Sequence, residues 1–419
     1  MGLKKKAKKV IRPENKWLRY CVNLILIALI FTLGIFVGNG KISFSRNQSQ
    51  LTPISAGLPN QLNYSSVNEV YQALKNNYYE HLTETQLLNG LKHGLAESTN
   101  DPYTEYFTAQ EAKSFSDELN NTFSGIGAEL SKDSSGDLEV ISPINGFPAD
   151  KAGIKAGDII TSINGQSTTN MSVDSAVNDI RGNPGSKVTL SIVRGGSQAL
   201  SFTITRENIN LPSVTSKTLP GNIGYIQIST FADDTSSLAT KYANQLAKAH
   251  VKGVILDLRN DPGGLLTAAI NVSSLWLPQN TKILDEKRGG EVVQSYYATG
   301  GDVLNGIPTV VLINAGSASA SEITTGALHD NRAAYVIGQK SFGKGVVQSI
   351  ICITGQTNSN GTCPSDELKV TIASWYRPDG ENINHKGITP DQTVTLSQTQ
   401  ASSSDDTQLN AAEAYLASK

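Results

Sequence analysis

The chain has 419 residues, a formal net charge of -2 and only 17% charged side chains. That length buries the cores of two or three domains without a disulfide scaffold or a metal clip. The near-neutral composition, rich in Ser, Thr, Asn and Gly, lacks the electrostatic footprint of a nucleic-acid binder, so no nucleic-acid partner is expected.

Residues 1–19 carry Lys4, Lys5, Lys6, Lys8, Lys9, Arg12, Lys16 and Arg19 against the single acid Glu14, and the apolar run Tyr20 to Val37 follows at once. A helix over that run spans about 27 Å, close to the hydrocarbon thickness of a bilayer. The basic flank keeps the N-terminus in the cytoplasm and sends the body outside, which predicts a single-pass cell-membrane protein. A cleaved signal peptide is the competing reading, but no A-x-A-like site follows Val37. Of the three cysteines, Cys21 sits in the apolar run, while Cys352 and Cys363 flank a turn-rich stretch. A disulfide closing that loop suits an extracytoplasmic body. Neither C-x-x-C nor H-E-x-x-H occurs and the five histidines are scattered, so no metal and no other cofactor is expected.

Residues 61–121 read as helical, with apolar side chains at three- and four-residue spacing in "SVNEVYQALKNNYY" and "TETQLLNGLKHGLAEST". This region is expected to pack and to support a homodimer together with the C-terminal helix; nothing in it looks chemical, and His81 and His93 read as ordinary surface or core histidines. From Phe123 the pattern changes to short strands and turns, "GIGAEL", "LEVISPI", "GDIITSING", "KVTLSIVRGG" and "LSFTITREN", with one helix at "SVDSAVNDIRG". Five strands and a helix predict a small β-barrel. The glycine-framed loop before the first strand and the later Asn-Gly turn resemble a PDZ domain, which implies that Gly125, Ile126 and Gly127 hold a peptide's terminal carboxylate beside a strand edge. Taken alone, "GIG" is also consistent with a simple tight turn.

From Leu211 to about Leu396 strands and helices alternate, which predicts an α/β core: "NIGYIQIS", a helix over "DTSSLATKYANQLAKAH", "KGVILDLRN", a helix over "LLTAAINVSSLWL" and the buried-type strand "PTVVLIN". Two turns stand out, "LRNDPGG" and "AGSASASE". The second follows a strand and opens a helix, where unpaired N–H groups and the dipole favour a developing negative charge. A serine there suits nucleophilic attack and equally suits an N-cap, and of Ser317, Ser319 and Ser321 at least one is expected to be only a cap. The nucleophile needs a base. His329 lies about 15 Å along the same helix and cannot easily return to its start. Lys344, in "SFGKG" after the strand "YVIG", can reach it, and acts as a base only if desolvation makes its proton cheap to lose.

"LRNDPGG", "GSASASE", "SFGKGVVQ" and "KVTIASWYRPDG...INHKGITPD", in this order, resemble the C-terminal processing peptidases, the tail-specific Ser/Lys proteases with an inserted PDZ domain. The resemblance runs from about residue 62 to the end. It implies a crotonase- or Clp-like α/β protease core, Ser319 as nucleophile, Lys344 as general base and Gln348 orienting the lysine. It implies an oxyanion hole from the N–H groups of Ala320 and of Gly263 or Gly264, with Arg181 coupling the PDZ domain to assembly of the site. The substrates would be proteins or peptides with free C-termini. The division that follows is a basic tail 1–16, a transmembrane helix 17–38, a linker 39–60, a helical region 61–121, a PDZ domain 122–208, a peptidase core 209–396 and a linker with helix 397–419. The chain departs from the family in having Asp261 where Asn is usual, and in the long Cys352 to Cys363 loop.

Two other readings compete. "SFGK" matches the S-x-x-K of penicillin-binding proteins, with Ser341 as nucleophile, but Gly343 and Gly345 argue against the helix that motif needs, and S-D-N and K-T-G are absent. A PDZ adaptor on an inert hydrolase scaffold would have lost its nucleophile or base; both remain, and only Asp261 favours it.

Overall fold

The computed structural model describes Pro59 and residues 61–120, 122–133, 135–353, 363–395 and 406–419. The expected membrane segment, the basic tail before it and all but one residue of the following linker lie outside the described residues. Among those described, no helix is long and apolar enough to cross a membrane. The chain divides after His81 into two units.

The first unit holds helix α1 (Ser65–Asn77). Its apolar stripe, Val67, Val70, Tyr71 and Leu74, has the spacing of one helical face and is exposed. The second unit begins with α2 (Glu84–Glu97), opened by a capping box in which Gln86 N–H donates to Thr83 Oγ1 and Thr83 N–H to Gln86 Oε1. Strand β1 (Glu105–Phe107) and helix α3 (Ala109–Leu119) follow.

The next strands are β2 (Thr122–Gly125), β3 (Ala128–Lys132), β4 (Leu138–Pro143), β5 (Ile159–Ile163), β6 (Gln166–Ser167), β7 (Lys187–Arg194), β8 (Gln198–Thr205) and β9 (Glu207–Asn210). Helix α4 (Pro148–Ala152) lies between β4 and β5, and α5 (Val173–Ile180) between β6 and β7. Strands β3-β4-β5-β7-β8 form an antiparallel sheet in that order, with β6 on β5, over a core that includes Ile126, Val140, Ile160, Leu190 and Ile204. The small barrel expected here takes the form of this sheet, with β3 and β8 as its end strands, and a separate two-stranded ribbon. The backbone turns at Gly127, where φ is +72° and a Cβ would come within 2.6 Å of Phe147, so β2 separates from β3 and pairs with β9 as a ribbon of its own. Buried Arg206 anchors the end of α5 by donating to the carbonyls of Ile180 and Asp179.

The core contains β10 (Val214–Leu219), β11 (Ile223–Ile228), α6 (Thr235–Lys248), β12 (Gly253–Asp257), α7 (Leu266–Ser273), β13 (Lys282–Arg288), β14 (Glu291–Tyr297), β15 (Thr309–Ile313), α8 (Ala320–Asp330), β16 (Tyr335–Gly338), β17 (Val346–Cys352), β18 (Glu367–Tyr376), β19 (Gln392–Thr393) and α9 (Thr407–Ala417). One sheet runs β10-β11-β12-β15-β16-β19, parallel except for β10. Its central strands are apolar on both faces because both are covered. Val254, Leu256, Val311 and Ile313 join the cluster under α6, α7 and α8, whereas Ile255, Val310 and Leu312 join Ala412 and Leu416 of α9. The short C-terminal helix is thus a layer of the core. A second, antiparallel sheet, absent from the sequence reading, runs β1-β18-β13-β14 with β17 also on β18.

Candidate active site

Three consecutive parallel strands, β12, β15 and β16, end side by side, and the turns that leave them build the site. In an open α/β sheet the carboxyl ends of the strands are where ligands bind. The turns are laced together by polar side chains. Asn260 N–H donates to Asn314 Oδ1 and Asn314 Nδ2 donates back to Asn260 Oδ1. Ser317 Oγ donates to the Leu258 carbonyl and accepts from Asn314 N–H, while Ser321 Oγ donates to the Asp261 carbonyl. The outer two of the three serines are therefore buried fasteners between strand ends, and neither is the expected cap.

Ser319 is different. Its φ of +53° and ψ of -112° form a backbone conformation that side chains other than glycine rarely adopt, at the first residue before α8. Its N–H donates to Glu322 Oε2 at 2.9 Å. Glu322 is wholly buried and also accepts from Ser341 Oγ at 2.6 Å, Gly343 N–H at 2.7 Å and Lys344 N–H at 2.9 Å. Burial pushes its carboxyl up, and those four donors pull the other way. This residue was missed in the sequence, although Ser319-Ala-Ser-Glu322 has the capping-box spacing that would have found it.

Glu322 thus fixes the loop that carries Lys344. The Lys344 carbonyl accepts the Trp375 indole N–H at 2.8 Å. Gly343 and Gly345 are required by close approach: a Cβ would meet Gly387 N at 2.7 Å in one case and Asn384 N at 2.5 Å in the other. Burial holds the Lys344 ammonium below the ordinary lysine range, the like charge of Lys369 adds to this, and Asp101 and Glu322 oppose it. The Tyr103 ring lies 4.8 Å from Nζ. Asp101 and Tyr103 belong to "DPYTEYF", in which the sequence showed no chemistry; they come to Lys344 from more than two hundred residues away, and no local pattern reports that. Gln348 lines the same cleft, but its Nε2 donates to Thr371 Oγ1 at 3.1 Å. Thr371 N–H in turn donates to Thr104 Oγ1, which donates to Asp101 Oδ2.

Ser319, Lys344, Gln348, Gly263 and Gly264 border one cleft of about 400 Å³, walled by Leu265, Ile323, Val347 and Trp375. Gly263 has φ +98°, and a Cβ on it would sit 2.8 Å from both Ser319 Cβ and Ala320 N. Its N–H is donated to Asp261 Oδ1 at 2.8 Å. At Gly264, φ is +141° and a Cβ would strike the Phe231 carbonyl at 2.3 Å.

The remaining candidates lie apart. Ser341 is buried, donating to Glu322 and accepting from Ile388 N–H, which leaves it no role as a nucleophile. His329 contacts Asp330, Asp391 and Arg377 and lines another cavity. Ile126 and Gly127 give their carbonyls to Ala149 and Ile144 N–H, and the Arg181 guanidinium lies 5.4 Å from the Phe123 ring on the β2–β9 ribbon. Cys352 and Cys363 are joined as a disulfide.

Residues 222–394 match peptidase family S41, residues 115–193 the PDZ domain, and residues 37–111 the activating protease CtpB N-terminal domain. The carboxy-terminal processing protease CtpA of Bacillus subtilis (strain 168) is 38% identical over 329 residues, covering 78% of this chain and 68% of that one. The chain belongs to peptidase family S41. The "Probable CtpA-like serine protease" of Staphylococcus aureus (strain MSSA476) is 35% identical over 397 residues, 93% of this peptidase and 74% of that one. A solved structure from Bacteroides fragilis NCTC 9343, assigned to the S41 proteases, shares the fold at a TM-score of 0.55 and 15% identity, covering 86% of this chain and 99% of that chain. The protein is thus a serine-type peptidase of the C-terminal processing class with a PDZ domain.

Glu322→Ala leaves one hydroxyl and three backbone donors without their acceptor. We expect it to lower unfolding free energy by about 3 kcal/mol or more in urea titrations, and to reduce peptide turnover at least about 100-fold in the fraction still folded. Unchanged turnover in folded protein would remove Glu322 from the site's framework.

Proposed function

We infer that this peptidase cleaves its substrates through a Ser319 acyl-enzyme with Lys344 as general base. The observation that carries this reading is the pair itself: a serine in a strained conformation at a helix N-terminus and a lysine whose charge is disfavoured by burial border one cleft. Ser319 Oγ attacks the peptide carbonyl carbon as its proton passes to Lys344 Nζ. The C–N bond then breaks, and Lys344 returns the proton to the departing amine. Water, deprotonated by the same lysine, releases the acyl group. The oxyanion is assigned to the N–H groups of Ala320 and Gly264, since that of Gly263 is already given to Asp261. Gln348 acts on Lys344 through Thr371, Thr104 and Asp101.

A neutral lysine is the active form in this scheme, so activity should rise with pH along a limb centred below the ordinary lysine value. Lys344→Arg keeps the charge and cannot lose it; in single-turnover cleavage it should be as inactive as Lys344→Ala and Ser319→Ala. Substantial activity in the arginine variant would assign the base elsewhere.

Substrate selection is assigned to the PDZ domain. Among the described residues strand β3 is an edge strand that pairs with β4 alone, and a peptide added to its other side would end at Gly125 to Gly127. Peptides with amidated C-termini should be cleaved at least about tenfold more slowly than the free acids, because the loop is meant to hold that charge. Equal rates would exclude this role.

The basic flank and apolar run before Val37 support an anchored enzyme with its body outside the cytoplasm. Protease added to intact spheroplasts should digest residues after Gly38; full protection would reverse the topology.

A further inference from the structure

Asp261 is completely buried at the turn that follows β12, against the residues on both sides of Ser319. Its carbonyl accepts Ala318 N–H at 3.0 Å and Ser321 Oγ at 2.9 Å, and its Oδ1 accepts Gly263 N–H at 2.8 Å. Among the described residues its Oδ2 has no hydrogen-bond partner. Among the described residues no cation pairs with this carboxyl. On its own turn, Arg259 is committed to Asp257 and Asp406. On α8, Glu322 faces the loop of Lys344, and Lys344 feels Lys369, Asp101 and Glu322 but not Asp261. The segment at Phe231 leads to Asp234, which accepts Ser213 N–H, and α7 carries no charged residue. An ionised Asp261 would be an uncompensated buried charge next to the N–H groups assigned to the oxyanion.

We propose that Asp261 is a positioning residue that works as a neutral carboxylic acid, turning Gly263 N–H away from the cleft and the following N–H toward it, and that its ionisation silences the site. The second half rests on the reading of Ser319 as nucleophile. As a neutral group Asp261 does the work of an amide: one oxygen holds the turn and no charge opposes the developing oxyanion. Burial, only partly opposed by the Gly263 N–H bond, pushes its carboxyl up to about 8, so the acid persists at neutral pH and is lost in mild alkali.

The test uses the full-length protein in detergent. Single-turnover cleavage of a free-acid peptide between pH 6 and 10 should give the wild type a falling limb beyond the rising limb of Lys344. Asp261→Ala should lose activity at neutral pH, and Asp261→Asn should rescue it and abolish the falling limb, giving about a tenfold advantage over wild type at pH 9. A falling limb unchanged in Asp261→Asn, or failure of that variant to rescue, overturns the proposal. A second measurement does not depend on catalysis. A carboxyl whose folded-state pKa is raised contributes stability that is fully present below its unfolded value and is lost as pH rises through the folded value, whereas Asn does not titrate. The melting temperature of Ser319→Ala should therefore fall relative to Ser319→Ala/Asp261→Asn between about pH 4 and 8. Parallel curves overturn the neutral acid whether or not the peptide is cut. Diverging curves in a protein that cleaves nothing support the neutral acid and refute the reading of Ser319.

Discussion

A single buried carboxylate organises the site. Glu322 sits in the first turn of α8 with no exposure to water, where an unpartnered charge would be untenable, and four donors converge on it from two loops. One of them is the N–H of Ser319 and another is the N–H of Lys344, 22 residues away from Glu322. The serine and the lysine are thereby referred to one rigid acceptor, and the strained backbone of Ser319 is held by the bonds around it. Holding reacting groups in place before substrate arrives is a large part of what a hydrolytic site must do.

The parallel sheet supplies the frame for that acceptor. Because β12, β15 and β16 are neighbours in register, their exit turns emerge together, and Ser317, Ser321, Asn260 and Asn314 stitch one turn to the next. The antiparallel sheet contributes the opposite wall: Trp375 on β18 clamps the Lys344 carbonyl, and Thr371 on the same strand meets Gln348 on β17. Lys369, further along β18, supplies the like charge that reinforces burial in disfavouring the Lys344 ammonium.

What was legible in the sequence follows the range of the interactions. The alternation of strands and helices, the two turns and the neighbourhood of Ser319 and Lys344 depend on short-range periodicity and on adjacent parallel strands, and these could be read. The true work of Ser317 and Ser321 could not, because their acceptors, Leu258 and Asp261, are 59 and 60 residues away. Tyr103 and Asp101 were invisible for the same reason. The small barrel expected between residues 122 and 208 divides into a sheet and a β2–β9 ribbon at Gly127, whose positive φ turns the chain between β2 and β3. Glu322 is the exception: its spacing from Ser319 is that of a capping box, a local signal.

The turn carrying Asp261 is held at its base by Arg259, which bonds Asp257 beside it and reaches Asp406 and Gln408 at the start of α9, 147 and 149 positions downstream. Contacts of such sequence separation form slowly, since a long loop must close before they contribute anything. Until α9 docks on the sheet, Arg259 has only part of its anchorage and the turn beside Ser319 is less firmly placed. Docking of α9 on the sheet thus completes the anchorage of the turn on which Asp261 and Gly263 stand, so the last helix of the chain braces a turn encoded far upstream.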